Sequence, residues 1–185
     1  VALTLRLIEG FETQGFERAS SVSANPTIST TVYGGQGTRS AFMPEAPAST
    51  NQIQYSPYEY EGTPNTNAKG FGFRFRFEAA DVTSTALLIF LRDSSSNITA
   101  RLRIVEASST WSIGVDNSAL TALGGTSEGA KNTNWHYCEF WWEESTSGSW
   151  ALYVDGALND SGTGANFRGV ATETIQFYQN TGSTD

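Results

Sequence analysis

Two glutamates, Glu139 and Glu143, stand four residues apart in the stretch 132–156, NTNWHYCEFWWEESTSGSWALYVDG, with Trp141 between them. Retaining glycoside hydrolysis needs two carboxyl groups about 5 to 5.5 Å apart. Positions i and i+4 on one strand face can approach that, and an indole between them would offer a surface for a sugar ring. The bland alternative is that both glutamates pair across strands with Arg74, Arg76, Arg101 or Arg103, a modest stabilisation. The second reading is adopted, and no catalytic residue is assigned. His136 is the only histidine and Cys138 the only cysteine. No G-x-S-x-G elbow accompanies His136, so a packed, hydrogen-bonded histidine is expected rather than a Ser-His-Asp triad. Zinc on His136 and Cys138 would need two further soft ligands, which the composition lacks. Asp81, Asp93, Asp116 and Asp160 are loop-type hard oxygens, so calcium stays open, but without a D-x-D-x-D string no metal or other cofactor is assigned. Asp155 reads as a turn residue. YGGQG and LGGTSEG have no P-loop lysine and read as plain loops. The stronger lead is aromatic: Trp135, Tyr137, Trp141 and Tyr153, with Glu139 and Glu143, form the expected ligand-binding set, where a glycan or another protein could stack. Tyr58 and Tyr60 could join it. Against this, a second sheet or the segment 12–68 could cover these rings.

The elements that must hold these residues follow from period-two patterning. His136, Cys138, Phe140 and Trp142 alternate with Trp135, Tyr137, Glu139, Trp141 and Glu143; Trp150, Leu152 and Val154 alternate after the polar turn EESTSGS, and Asp155-Gly156 closes the run. The result is an antiparallel hairpin with Cys138, Phe140, Trp142, Leu152 and Val154 inward. That face contributes on the order of 8 to 15 kcal/mol before chain entropy is subtracted. Upstream, Phe71, Phe73, Phe75 and Phe77 share one face of a strand. Residues 85–91 are apolar on both faces, as in a central strand. Ile98, Ala100, Leu102 and Ile104 alternate, as do Trp111, Ile113 and Val115, and Ile175 with Phe177 forms a last strand. Short strands around Ile28, Ala41 and Ile53 are expected between breakers. A polar loop is expected after Gly156. Leu3, Leu5 and Leu7 alternate as a first strand.

Composition agrees with an all-β chain. Across 185 residues, 18 glycines, 12% aromatics and only two lysines (Lys69, Lys131) suit strands and turns rather than helices. One domain spanning 1–185 is expected, clearest over 68–178, burying about 70% of the unfolded surface. A formal charge of −8 argues against a nucleic-acid groove, which needs clustered cations, and against anionic membranes. No leader and no membrane-spanning run are recognisable in this numbering.

The hairpin residues Trp135-His136, Cys138, Phe140 and Leu152-Tyr153-Val154-Asp155-Gly156 resemble the signature hairpin of laminin G-like domains, within the concanavalin A-like lectin and glucanase superfamily. The resemblance implies an antiparallel two-sheet sandwich, a concanavalin A-like jelly roll. The superfamily's glucanases carry E-x-D-x-x-E, which is absent here. A stand-alone domain of this kind, poor in lysine and rich in Thr, Ser and Gly, looks like the decoration, fibre or tail components of tailed phages. The expected function is a non-catalytic recognition or assembly module on a virion surface or in the extracellular space, with other protein subunits and glycans as partners. An extracellular lectin-like module and a glycoside hydrolase are the alternatives. Leu3, Leu5 and Leu7 are expected to form an assembly edge, because unpaired strand edges recruit other chains; a neighbouring subunit or chain beyond residue 185 would cover it.

Overall fold

The computed structural model describes residues 19–22, 27–29, 40–42, 51–55, 68–77, 85–107, 109–130 and 132–181. Their strands are β1 (Ala19–Val22), β2 (Thr27–Ser29), β3 (Ser40–Phe42), β4 (Asn51–Tyr55), β5 (Ala68–Phe75), β6 (Thr85–Arg92), β7 (Ile98–Ala107), β8 (Thr110–Asp116), β9 (Ala122–Ala130), β10 (His136–Glu143), β11 (Gly148–Val154), β12 (Ala157–Ala165) and β13 (Thr174–Thr181). A seven-stranded sheet runs β1-β4-β13-β6-β7-β8-β9, a four-stranded sheet runs β12-β11-β10-β5, and β2 pairs with β3. Every pairing is antiparallel. The fold is the expected all-β, antiparallel two-sheet sandwich. Among the described residues no helix is long and apolar enough to cross a membrane.

The period-two faces meet in one core. Phe73, Phe75 and Phe77 from β5 and the residues after it, Cys138, Phe140 and Trp142 from β10, and Trp150, Leu152 and Val154 from β11 pack against Leu87, Ile89, Leu91, Leu102, Ile104, Ile113, Val115 and Phe177 of the other sheet. Phe71 packs against this core but is only partly buried. The hairpin register places Cys138 opposite Val154, Phe140 opposite Leu152 and Trp142 opposite Trp150, so the expected inward set is the observed one. The Phe140 and Trp142 rings stack at 5.2 Å. β6, apolar on both faces, is central between β13 and β7.

Two segments expected to be loops are strands. LGGTSEG lies in β9, paired with β8, and residues 157–165 form β12, paired with β11. Both are outer strands of their sheets as described, held by backbone hydrogen bonds, and therefore need no apolar alternation. Two glycines of β9, Gly124 and Gly125, serve close approach: at Gly125 (φ +150) a Cβ would collide with the Ile113 carbonyl oxygen. The turn joining β11 to β12 is Asp155-Gly156, with φ of 50° and 82°, the positive pair of a two-residue hairpin turn. The expected assembly edge at Leu3, Leu5 and Leu7, as well as Tyr58, Tyr60 and Asp81, lies outside the described residues.

Candidate functional site

Tyr137, Glu139, Trp141 and Glu143 occupy the alternate positions of β10 that face away from the core. Their neighbours are set by register: Glu139 lies between Gly72 and Tyr153, and Trp141 between Gly70 and Ala151. On the next strand Tyr153 faces Leu158, and Ala151 faces Ser161. Two rows therefore cross the four-stranded sheet, Leu158–Tyr153–Glu139–Gly72 and Ser161–Ala151–Trp141–Gly70. Strands lie about 4.8 Å apart, so an indole flanked by alanine and glycine has no side chain tall enough to cover it. Trp141 is accordingly 37% exposed, Tyr137 36% and Leu158 56%.

Gly72 shapes this ledge. A Cβ there would sit 2.5 Å from the Tyr137 hydroxyl oxygen, so the bare glycine is what lets the phenol lie across β5, an aromatic ring covering an edge-strand glycine. The Tyr137 hydroxyl donates to Glu139 Oε1 at 3.0 Å, and the Arg74 guanidinium stands 5.8 Å from its ring centroid. Partial burial first, and then the hydrogen bond to the Glu139 carboxylate, raise the phenol above its ordinary pKa. Trp135 precedes β10 and is half-buried, with the Arg76 guanidinium 5.9 Å from its ring.

The two glutamates do different work. Glu139 is exposed and holds Tyr137, whereas the half-buried Glu143 accepts the Ser149 amide at 2.7 Å and ties down the β10–β11 turn. The expected ion pairs with arginine are corrected. Arg101 and Arg103 belong to the other sheet, where both bind Asp116, and Arg74 and Arg76 lie over aromatic rings. Sequence proximity in pattern placed all four on non-core faces but could not say which sheet each face belonged to.

His136 is packed and hydrogen-bonded, as expected. Its ring lies 4.8 Å from Trp111 and 5.6 Å from Phe75, and its Nδ1 is 2.8 Å from Asp155 Oδ2. Asp155 is thus more than a turn residue, since its Oδ1 also accepts the Tyr137 amide at 2.7 Å. Nε2 is buried without a partner among the described residues. Cys138 is buried beside it, and desolvation pushes its thiol far above the usual range. Three of the aspartates considered for calcium are already engaged. Asp93 accepts the Ser95 and Asn97 amides, Asp160 accepts those of Gly125 and Ser161, and Asp116, expected in a loop, is a buried strand residue. No three His, Cys, Asp or Glu among the described residues come together as a metal site.

Sequence reading missed Leu158, which extends the exposed row beyond Tyr153, because its segment looked like loop. It also missed the cluster of Arg101, Arg103 and Asp116 on the opposite sheet. The alternation of Arg101 and Arg103 with core residues was a signal that both point outward; the convergence on Asp116 required the β7–β8 register.

No protein-family model matches the chain, and no curated protein matches it. Solved structures do resemble it. A carbohydrate esterase of Shiga toxin-encoding bacteriophage phi24B aligns with a TM-score of 0.58 at 13% identity, covering 96% of this chain and 90% of that one. The CBM2 module of the evolved Dit of Lactobacillus casei BL23 phage J-1 aligns at 0.53 and 12% identity, covering 96% and 87%. A tetrameric galectin from the ball sponge Cinachyrella gives 0.40 at 10% identity over 74% and 92%. At these identities the first two likenesses bear on the fold, which is the two-sheet sandwich already described.

Proposed function

We propose that the chain is a non-catalytic recognition module of the laminin G-like kind, acting on a virion surface or outside the cell and binding glycan on the outer face of its four-stranded sheet. The observation that carries this reading is Trp141, left exposed between Gly70 and Ala151. A flat, rigid indole on a strand, beside Tyr137, Tyr153 and the acceptor oxygens of Glu139, suits a pyranose ring: the apolar sugar face stacks and its hydroxyls donate to the carboxylate. Glu143 is committed to the Ser149 amide, which favours binding over hydrolysis at the Glu139–Glu143 pair. The phage origin of the esterase and of the CBM2 module, both aligned with scores above 0.5, supports the virion setting. Assembly with other protein subunits belongs to the same proposal.

The test is a glycan array followed by calorimetry on the hits. Saturable binding that Trp141→Ala abolishes without altering thermal unfolding supports the reading. Turnover of any bound glycan, lost in Glu139→Gln, would replace it with a hydrolase.

A further inference from the structure

The other sheet carries a second feature on its own outer face. Because Ala100, Leu102 and Ile104 take the core side of β7, Arg101 and Arg103 point outward. Both donate Nε to the same atom, Asp116 Oδ2, at 2.6 and 2.8 Å. Two guanidiniums against one carboxylate leave this cluster with one positive charge in excess, in a chain of formal charge −8. Asp116 is almost fully buried, with its side chain 1% exposed, while that of Arg103 is 29% exposed. Asp116 Oδ1 is buried and accepts no hydrogen bond among the described residues.

Arg103 also lines an open groove between β7, β8 and β9, together with Ser112, Gly114, Gly124, Thr126 and Ser127. Gly114 lies beside the guanidinium, where a Cβ would be in ordinary contact, 3.5 Å from Arg103 Nη2. The guanidinium is therefore anchored through Nε, and among the described residues its terminal nitrogens donate to nothing. A cation held in place with its terminal donors unused is prepared for a planar, two-oxygen acceptor. Among the described residues no aromatic side chain lines the groove, so none of them would stack a nucleobase. Its walls offer hydroxyls and glycine backbone, which suit a polyol, and the single excess charge matches a monocarboxylate better than a dianionic phosphate.

We infer that this groove binds a carboxylate-bearing saccharide, a uronic acid residue, with the carboxylate on the terminal nitrogens of Arg103 and the ring hydroxyls against Ser112 and Ser127, which pair across β8 and β9 on this outer face. The site is separate from the Trp141 ledge, which belongs to the other sheet.

The test is calorimetric titration of the intact chain with a galacturonate oligosaccharide, free galacturonate, the matching neutral galactose oligosaccharide and inorganic phosphate. The acidic oligosaccharide should bind saturably and weaken with added salt. Its neutral counterpart should bind at least about tenfold more weakly. Free galacturonate binding as tightly as the oligosaccharide assigns a single-residue site; weaker binding assigns a site for a chain. Arg103→Gln should lose at least about tenfold in affinity. Arg103→Lys keeps the charge but not the fork; it too should weaken binding and carries the test if the glutamine variant does not fold. Trp141→Ala should leave uronate binding unchanged, so either site can fail without the other. Equal affinity for the neutral sugar, phosphate binding as tight as the uronate, or undiminished binding by a folded Arg103 variant would overturn the inference.

Discussion

His136 Nδ1 and Asp155 Oδ2 stand 2.8 Å apart, so the first residue of β10 is tied to the turn that closes the neighbouring hairpin. The same carboxylate takes the Tyr137 amide, and Asp155 has a positive φ of 50°. Asn tolerates that backbone conformation and retains an acceptor. Asp155→Asn keeps the turn and one acceptor but meets the second donor with an amide nitrogen, so it should cost less than Asp155→Ala, which strands two donors, strains the turn and should cost about 1 to 3 kcal/mol. Urea unfolding of both variants measures the difference; equal costs would mean that neither the retained acceptor nor the tolerance of positive φ contributes.

Adjacent tryptophans should behave oppositely. Trp142 is 1% exposed and stacked on Phe140, so Trp142→Ala should destabilise the fold by about 3 to 5 kcal/mol. Trp141→Ala removes an exposed ring and should cost less than about 1 kcal/mol. Chemical denaturation of the pair would detect a register slipped by one residue as equal losses.

The raised Tyr137 phenol carries a pH signature. Its neutral form is favoured in the folded chain, so this contribution is complete below the ordinary tyrosine value of about 10 and is lost as pH climbs through the higher folded value. Stability should fall on that alkaline side. Glu139→Gln removes the charged acceptor, and the Tyr137 transition followed by NMR should move back toward the ordinary value. A transition that stays in place would assign the shift wholly to burial.

Gly125→Ala tests the close approach of β9 to β8. The added Cβ meets backbone, the Ile113 carbonyl, which cannot rotate away as a side chain can. A cost of about 1 to 3 kcal/mol is expected, with faster amide exchange confined to β9 and its partner β8. Unchanged exchange there would show that the strand adapts freely.

What the chain determined by itself was its alternation. Phe73-Phe75-Phe77, Cys138-Phe140-Trp142 and Trp150-Leu152-Val154 could be buried only as strands with one dry face, and that burial already implied a sandwich and the Asp155-Gly156 turn. The same alternation put Tyr137, Glu139 and Trp141 on one outward face. Tertiary structure decided what alternation cannot encode. β9 and β12 are held by backbone hydrogen bonds, so their side chains carried no period to read, and Leu158 stayed hidden with them. Only register set Gly70 and Ala151 beside Trp141, leaving the indole exposed. Only the pairing of β7 with β8 brought Arg101 and Arg103 onto Asp116, since partners 13 and 15 residues apart are fixed by strand pairing and not by any local preference of the chain.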